Sequence, residues 1–485
     1  MSRGISRSGA GRSSADVVIL GAGPAGLAAA WRAARTGRSV VVLEAAPYVG
    51  GMAASFEVGG IRVDAGSHRL HPATAPALLA DLRGLLGDDL QTRPRNGRLR
   101  VAGSWVGFPL KPVELAKALP PGLLAGIARD ALTGPLRKPR QDTYAEVLRA
   151  GLGPTLYGAL YEPYASKLWG LDGSEIDGEQ ARRRVTADTP WKVAAKILSR
   201  ARRSRATGEG GSGQGQIFHY PRRGFGQIVE ALADAATAAG ADIRLSSAVD
   251  RVVPRSGLDS APQVRTADGT TVTGRHVFST VPLPRLAAMT DPPAPAEVLA
   301  ASGSLTFRAM VLVYLVHGGG RWTSFDAHYL PADGTPVTRI SEPTNYRESA
   351  DDPTDRSVLC VEIPCAPDDA TFSADEATLT GIVTDTLART GLPPLNVQEV
   401  VVRRVKHVYP VYTRGYGPAL EALDTWARGI SGVTTFGRLG LFAHDNTHHA
   451  LAMAYDAVDA LTPVGFDHGA WAMARLRFAD HVVED

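Results

Sequence analysis

A chain of 485 residues with 44% hydrophobic side chains is long enough for two or three domains with cores of their own, and excludes a fibre. Its 52 basic and 49 acidic side chains leave a net charge of +3, a balance that does not indicate a nucleic-acid binder. Two cysteines, Cys360 and Cys365, rule out a disulfide scaffold, and their C-x4-C spacing is neither a thioredoxin nor a zinc pattern. They read as two thiols in or beside one strand.

Met1 to Ala15, rich in Ser, Arg and Gly, lacks an apolar stretch that would serve as a signal-peptide core and reads as a disordered tail. The run Ala309 to Val316 is far short of the roughly 20 apolar residues of a spanning helix, so a cytoplasmic location is expected. From Asp16 to Glu44 the order is strand, glycine turn, helix, strand. Val17-Val18-Ile19-Leu20 enters Gly21-Ala22-Gly23-Pro24-Ala25-Gly26, Leu27 to Ala30 continue as a helix, and Val40-Val41-Val42-Leu43 stops at Glu44. In such a unit Gly21 permits the tight turn, Gly23 lets the backbone approach a pyrophosphate, and Gly26 allows close packing of helix on strand. The helix N-terminus offers N–H groups and a positive dipole end to the phosphates, and Glu44 is placed to accept from an adenosine ribose. Glycine turns abound in a chain with 52 Gly. Here strand, helix and acid agree, and dinucleotide binding is expected.

Gly50-Gly51-Met52 follows, a paired glycine that lets the backbone turn back near the cofactor. Ile61-Arg62-Val63-Asp64 reads as a strand leading to Ala65-Gly66-Ser67-His68-Arg69-Leu70-His71. An acid-ended second strand, a Gly-Gly turn and then D-x-G-x-H resembles the two-dinucleotide-fold flavoenzymes. These include amine oxidases, protoporphyrinogen oxidase, phytoene desaturases and UDP-galactopyranose mutase. The resemblance implies FAD as the cofactor, with Gly66 among its contacts and His68 by the isoalloxazine. It implies an α/β fold with two dinucleotide-binding (Rossmann-like) domains, a helical insertion and a mixed-sheet substrate domain.

Leu99 to Pro109 reads as a hairpin turning at Gly103-Ser104, and Val113 to Ala118 and Gly122 to Leu132 as helices. Thr143 to Val185 reads as helices joined by short loops. Pro163, Tyr164, Lys167, Trp169, Arg184 and Val185 in this block match the P-Y-x-x-K-x-W and later R-V of the mutase helical domain. Trp169 reads equally as a helix-packing aromatic. Trp191 to Arg205 reads as a basic amphipathic helix, either a solvated helix end or a peripheral membrane contact, and Gly208 to Gly215 as a flexible loop.

Ile217 onward returns to the cofactor domain. An alanine-rich helix runs to Gly240, with strands at Ile243 to Leu245, Val249 to Val253, Thr270 to Thr273 and His276 to Thr280. The resemblance assigns Val249 a backbone contact to the adenine side of FAD. Arg308 to Val316, His328 to Pro331, Val337 to Ile340 and Val358 to Ile363 read as strands of a substrate-domain sheet. Ala374 to Thr390 reads as a helix ending at Gly391, followed by a strand at Val397 to Val405. Near the C-terminus, Val433 to Phe436 reads as a strand, Gly437-Arg438-Leu439-Gly440 as a turn and His448 to Leu461 as a helix. In the resembled families a G-R-x-G turn and the next helix meet the flavin ring, with the helix N-terminus toward N1 and O2. That implies cofactor roles for Gly437, Arg438 and Asn446.

The resemblance places substrate contacts at Arg184, Tyr329, Arg339, Trp169 and Lys111. Arg184 and Arg339 match mutase positions that hold a substrate diphosphate, a role suited to a planar, permanently charged fork. Surface ion pairs are the plainer alternative. Phe108, Lys111, Ala165 and His444 replace the mutase Tyr, Gln, Asn and Tyr, which alters the hydrogen-bonding groups of the expected pocket. His68 and His444 are candidate catalytic groups that tune or relay protons. No metal is expected, since flavin-site or helix-cap roles account more simply for His68, His71, His444, His448 and His449.

The expected organisation is a tail at 1–15, FAD-binding parts at 16–72, 216–290 and 431–470, a helical cap at 73–215, a sheet domain at 291–430 and a tail at 471–485. Three functions stay open. One is an FAD-dependent oxidoreductase passing hydride from a small-molecule substrate to flavin N5, one a non-redox sugar mutase using reduced flavin, and one a flavin-binding protein without catalysis.

Overall fold

The computed structural model describes residues 13–109, 114, 117–134, 142–184, 217–257, 259–331 and 334–483. Lys111, Val185, the basic stretch from Trp191 to Arg205 and the Gly208 to Gly215 loop lie outside the described residues. The chain divides into two compact units. One combines the chain up to Ala53 with Ile228–Ser304 and Gly417–Ala479, the other Ala54–Gln227 with Leu305–Tyr416 and the last residues.

The first unit is built on a seven-stranded sheet in the order Val249–Val253, Gln263–Thr266, Thr271–Ser279, Ser14–Leu20, Val40–Leu43, Asp242–Arg244, with Val433–Thr435 also pairing with Thr271–Ser279. Around Ser14–Leu20 the pairing is parallel on both sides, with Val17 opposite Val40 and His276. Val17 to Leu20 and Val40 to Leu43 are buried throughout, the continuous apolar pattern of strands covered on both faces. The first strand already starts at Ser14, inside the stretch read as a tail. Thr271–Ser279 is one strand rather than two. Its Gly274 does not interrupt it: a Cβ there would meet a Val18 methyl at 2.9 Å, so the glycine serves close packing. Helix Pro24–Ala34 packs against helix Thr447–Asp459. His468–Ala479 is also a helix, burying Trp471, Ala474 and Phe478. The residues from 471 read as a tail are therefore mostly a packed element, and their i, i+3, i+7 apolar spacing was the available signal.

The second unit carries another seven-stranded sheet, ordered Val397–Pro410, Phe307–Gly318, Arg356–Cys365, Arg339–Ser341, Ala327–Tyr329, Gly97–Val101, Ser104–Phe108. Alternation along its long central strand sorts the two faces. Ala309, Val311, Val313 and Leu315 pack with Leu379, Val383 and Leu387 of helix Glu376–Thr390. Met310, Leu312, Tyr314 and Val316 pack with Val58, Ile61 and Val63 of the hairpin Ser55–Val58/Ile61–Asp64. Because that hairpin belongs to the second unit's core, the boundary falls after Ala53 and not near residue 72. The edge hairpin Gly97–Val101/Ser104–Phe108 turns at Ala102-Gly103, both with positive φ (48° and 83°), one residue before the expected turn. Helices Tyr144–Leu152, Glu162–Trp169 and Gly178–Arg184 enclose a separate core that includes Tyr144, Leu148, Tyr157, Leu168 and Trp169. Cys360 and Cys365 are free, buried thiols of one strand. No helix among the described residues is long and apolar enough to cross a membrane.

One core group makes this fold acid-sensitive. His276 is 7% exposed, its Nε2 lies 2.9 Å from Thr434 Oγ1, and its ring stacks on Phe466 at 4.6 Å. Burial, with smaller contributions from His468 and Arg255, pushes its pKa down from 6.5 to about 3. The unfolded chain therefore takes up this proton first as the pH falls. The stability contribution is complete above about pH 6.5 and declines toward about pH 3, by at most ~1.4 kcal/mol per pH unit. Urea unfolding followed between these limits is expected to show a flatter pH slope for His276→Gln than for the parent. Parallel slopes would remove His276 as the cause.

Candidate active site

In the first unit the glycine turn is shaped by contacts that a larger residue would break. Gly21 has a φ of +101° and donates its N–H to Leu43 O at 2.9 Å. A Cβ at Gly26 would lie 1.9 Å from Gly21 O, so this helix residue must be glycine for the turn to close. Gly23 is the N-cap of Pro24–Ala34 and has no side chain capping the helix. A Cβ on Gly23 would meet nothing within 4 Å, which leaves space in front of the first helical turn. Glu44 steadies the turn from the next strand: its Oε2 accepts from Ala22 N at 2.7 Å and its Oε1 from Ala46 N at 2.8 Å. Gly50 N donates to Ala22 O at 2.7 Å, and Gly51 and Met52 belong to a single 3-10 turn beside Gly23. Val249 opens the edge strand just after Ser247, whose N–H donates to Glu44 O at 2.7 Å.

The C-terminal segment joins the same cradle. Gly437 comes so close to Ala25 that a Cβ there would lie 3.0 Å from the alanine methyl. Gly437–Gly440 forms a short helix and not an open turn. Arg438 Nη1 donates to Asp445 O at 3.3 Å, which draws in the loop carrying the buried His444. Helix Thr447–Asp459 begins one residue earlier than expected, with Asn446 as its N-cap and Asn446 N donating to His449 Nδ1 at 3.3 Å. Gly21, Gly23, Pro24, Ala25, Gly26, Glu44, Gly50, Gly51, Met52 and Gly437 thus converge. The uncapped helix N-terminus, with open space at Gly23, fits the phosphates of a dinucleotide.

The second unit holds the other group of candidates, organised by Asp64. This carboxylate is 2% exposed and fully engaged. Oδ1 accepts from Ser55 Oγ at 2.6 Å and Phe225 N at 2.8 Å, and Oδ2 from Tyr220 OH at 2.6 Å. Tyr314 OH donates to Asp64 O at 2.6 Å and accepts from Gly66 N at 3.2 Å. The segment Gly66–Arg69 is thereby held over the sheet. His68 stacks on Phe225 at 5.3 Å, and burial lowers its pKa, opposed by the nearby carboxylates of Asp64 and Glu362. Its imidazole is therefore neutral near pH 7 and able to accept a proton.

Register across the sheet sets Tyr329 opposite Arg339 and Arg339 opposite Glu362, all on the face shared with Tyr314. Arg339 Nη2 contacts both oxygens of Glu362, at 2.7 and 2.8 Å, and Glu362 Oε1 also accepts from Ser67 N at 2.9 Å. Arg69 donates to Tyr329 OH at 2.9 Å, lies 3.1 Å from Asp326 and covers the Tyr346 ring. Arg184 lies 5.7 Å from the ring centres of both Tyr164 and Trp169. Trp169, 3% exposed, is also a helix-packing aromatic. Lys167 is structural: its Nζ donates to Leu330 O at 2.6 Å and Val337 O at 3.0 Å.

Tyr329 and Arg339 are thus brought together, His68 lies at the Asp64 end of the same cluster, and Arg184 sits with the helical aromatics. His444 belongs to the other unit. Sequence pattern named Asp64 only as the acid of the D-x-G-x-H motif, and Glu362, Tyr314, Tyr346, Arg69 and Asp326 were not among the expected site residues. A lone Glu362 within the apolar strand Arg356–Cys365 and a lone Tyr314 hydroxyl within Phe307–Gly318 were the available signals. Tyr346 offered none. Asp64→Ala strands three donors, two of them buried, and is expected to cost roughly 3 kcal/mol or more. Denaturant titration measures this, and a loss below about 1 kcal/mol would contradict the role assigned to Asp64.

The model of the family described as flavin containing amine oxidoreductase matches residues 24–452. Among solved structures, a reduced UDP-galactopyranose mutase is 19% identical with a TM-score of 0.75, over 92% of this chain and 93% of that one. A putative protoporphyrinogen oxidase from Exiguobacterium sp. 255-15 is 20% identical with a TM-score of 0.70, over 93% and 99%. A wild-type putrescine oxidase bound to putrescine is 17% identical with a TM-score of 0.62, over 92% and 98%. A search of curated proteins finds no match. At these identities the neighbours establish the fold, the two-domain FAD-binding architecture expected from the glycine turn and the D-x-G-x-H motif. With the family model spanning most of its length, the chain belongs to the flavin-containing amine oxidoreductases and is an FAD-dependent enzyme.

Proposed function

We propose that the protein is an oxidoreductase that removes a hydride from an organic small molecule bound on the polar sheet face of the second unit. Bound FAD supplies the two-electron acceptor at N5, and oxygen or another acceptor restores it. In this reading Gly21, Gly23, Pro24, Ala25, Gly26, Gly50, Gly51 and Met52 hold the pyrophosphate side. Glu44 and Val249 serve the adenosine, and Gly437, Arg438 and Asn446 the flavin. His68, kept neutral by burial, accepts a proton from the substrate heteroatom, and the buried His444 helps fix the loop before Asn446. Tyr329, Arg339, Trp169 and Arg184 orient the substrate, and Lys111 is carried as a further contact.

The observation that carries this choice is the Arg339–Glu362 pair. A guanidinium with both carboxylate oxygens at 2.7 and 2.8 Å is already neutralised, which suits a polar organic substrate better than a diphosphate that needs the whole charge. The second reading, a sugar mutase working with reduced flavin, is favoured by Arg184 and Arg339 both standing on the second unit with Tyr329.

Anaerobic mixing of the oxidised yellow protein with amines, polyprenyl compounds and nucleotide sugars separates the two. Bleaching of the flavin band with a stoichiometric oxidised product is expected. Isomerisation of a nucleotide sugar by pre-reduced protein alone, with no net redox change, would reverse the assignment. Arg339→Ala leaves the buried Glu362 unpaired and is expected to lower stability by roughly 3–5 kcal/mol, with recovery in the double variant that adds Glu362→Gln. Thermal melts of the four proteins test the coupling. A single variant as stable as the parent would mean that the pair is no structural unit.

A further inference from the structure

At the amino-terminal ends of the first unit's parallel strands, away from the glycine turn at their carboxyl ends, lies a cleft of about 420 Å³. It is lined from Asp16, the Thr36–Arg38 loop, Arg255, Arg275, His276, the Leu461–Phe466 hairpin and His468. The cofactor residues proposed above do not line it. Three of its lining side chains are arginines and one is an acid. Asp16 is taken up by Ser39 N and Ser39 Oγ at 2.9 and 2.7 Å and lies 3.5 Å from Arg275.

The arginines are held mainly by neutral oxygens. Arg38 donates to Thr36 Oγ1 at 2.6 Å and Leu461 O at 2.7 Å, Arg255 to Arg275 O at 2.9 Å, and Arg275 to Pro463 O at 3.2 Å. Carbonyl and hydroxyl acceptors fix a guanidinium in place without cancelling its charge. Arg255 is a lining residue of the cleft, and its side-chain bond is to a main-chain oxygen. His276 and Phe466, stacked at 4.6 Å with planes 14° apart, give the cleft an aromatic wall. The carbonyl end of helix Pro24–Ala34 approaches through Thr36, so the attraction for an anion comes from the arginines.

We propose that this cleft is a binding site for a small phosphomonoester, with the phosphate held by Arg38, Arg255 and Arg275. Planar forks on converging segments match the oxygens of a phosphate, and an aromatic wall accepts a flat attached group. The site stands apart from the proposed oxidation and does not depend on the identity of the substrate.

The test uses the FAD-loaded protein, so that the cofactor cradle is filled. Inorganic phosphate and AMP are titrated into it by calorimetry in a phosphate-free buffer of low ionic strength. Saturable one-to-one binding is expected for AMP and, more weakly, for phosphate. Arg255→Gln and Arg275→Ala should each weaken it by about tenfold or more, with flavin absorbance and melting temperature unchanged. Arg275 is 68% exposed, so its substitution leaves folding undisturbed. Arg389→Ala, on a surface helix of the other unit, should have no effect. The proposal is overturned by absence of saturable binding, by parental affinity in both cleft variants, or by equal loss in the Arg389 variant, which would mark general charge attraction.

Discussion

The second unit turns on one buried negative charge. Asp64 gains from its surroundings what water would otherwise supply: a serine hydroxyl, a tyrosine hydroxyl and a backbone N–H. A carboxylate this deeply buried is tolerated only when its lone pairs are filled. Ser55 lies opposite Asp64 in the same hairpin, while Tyr220 and Phe225 belong to one distant segment, so satisfying one group fixes where that segment crosses the hairpin. Through its main-chain oxygen the same residue binds Tyr314 of the long central strand, which sets the height of Gly66 to Arg69 above the sheet.

Around that anchor, the sheet separates an apolar task from a polar one by alternation alone. One face of Phe307–Gly318 and Arg356–Cys365 packs against helix Glu376–Thr390. The other face starts as an equally apolar contact with the Ser55–Asp64 hairpin and becomes polar at Glu362, Arg339 and Tyr329. These three are direct cross-strand neighbours, so the Arg339–Glu362 pair is formed by register without long, floppy side chains having to find each other. A charge pair built this way orders the face and leaves little net charge on it.

The two units contribute different kinds of chemistry. The first presents mainly backbone: glycines, a helix N-terminus and one strand-end acid that braces the glycine turn. The second presents side chains, and its His68, Tyr329, Arg339 and Glu362 are where one flavoenzyme of this fold would differ from another. Family membership accordingly says more about the cofactor than about the substrate.

How much could be read in advance follows the same division. The strand, turn, helix and acid from Val17 to Glu44 form a local pattern in which each residue's role depends on neighbours a few positions away. Backbone geometry with so few solutions is legible in one dimension. The D-x-G-x-H run was legible for that reason, and the cofactor with it, whereas Gly437–Gly440, read as a turn, is a short helix. The helix His468–Ala479 was missed although its spacing was present, and the single strand Thr271–Ser279 was read as two because the close packing of Gly274 by Val18 has no local sign. The partners of Asp64, the pairing of Arg339 with Glu362, and the burial of His276 are long-range facts, set by strand order and register. Sequence alone determined a flavin-binding protein of this fold. Only tertiary structure decided which charges are neutralised and which face outward, because a side chain's charge is modified by neighbours that strand order and register bring from distant parts of the chain.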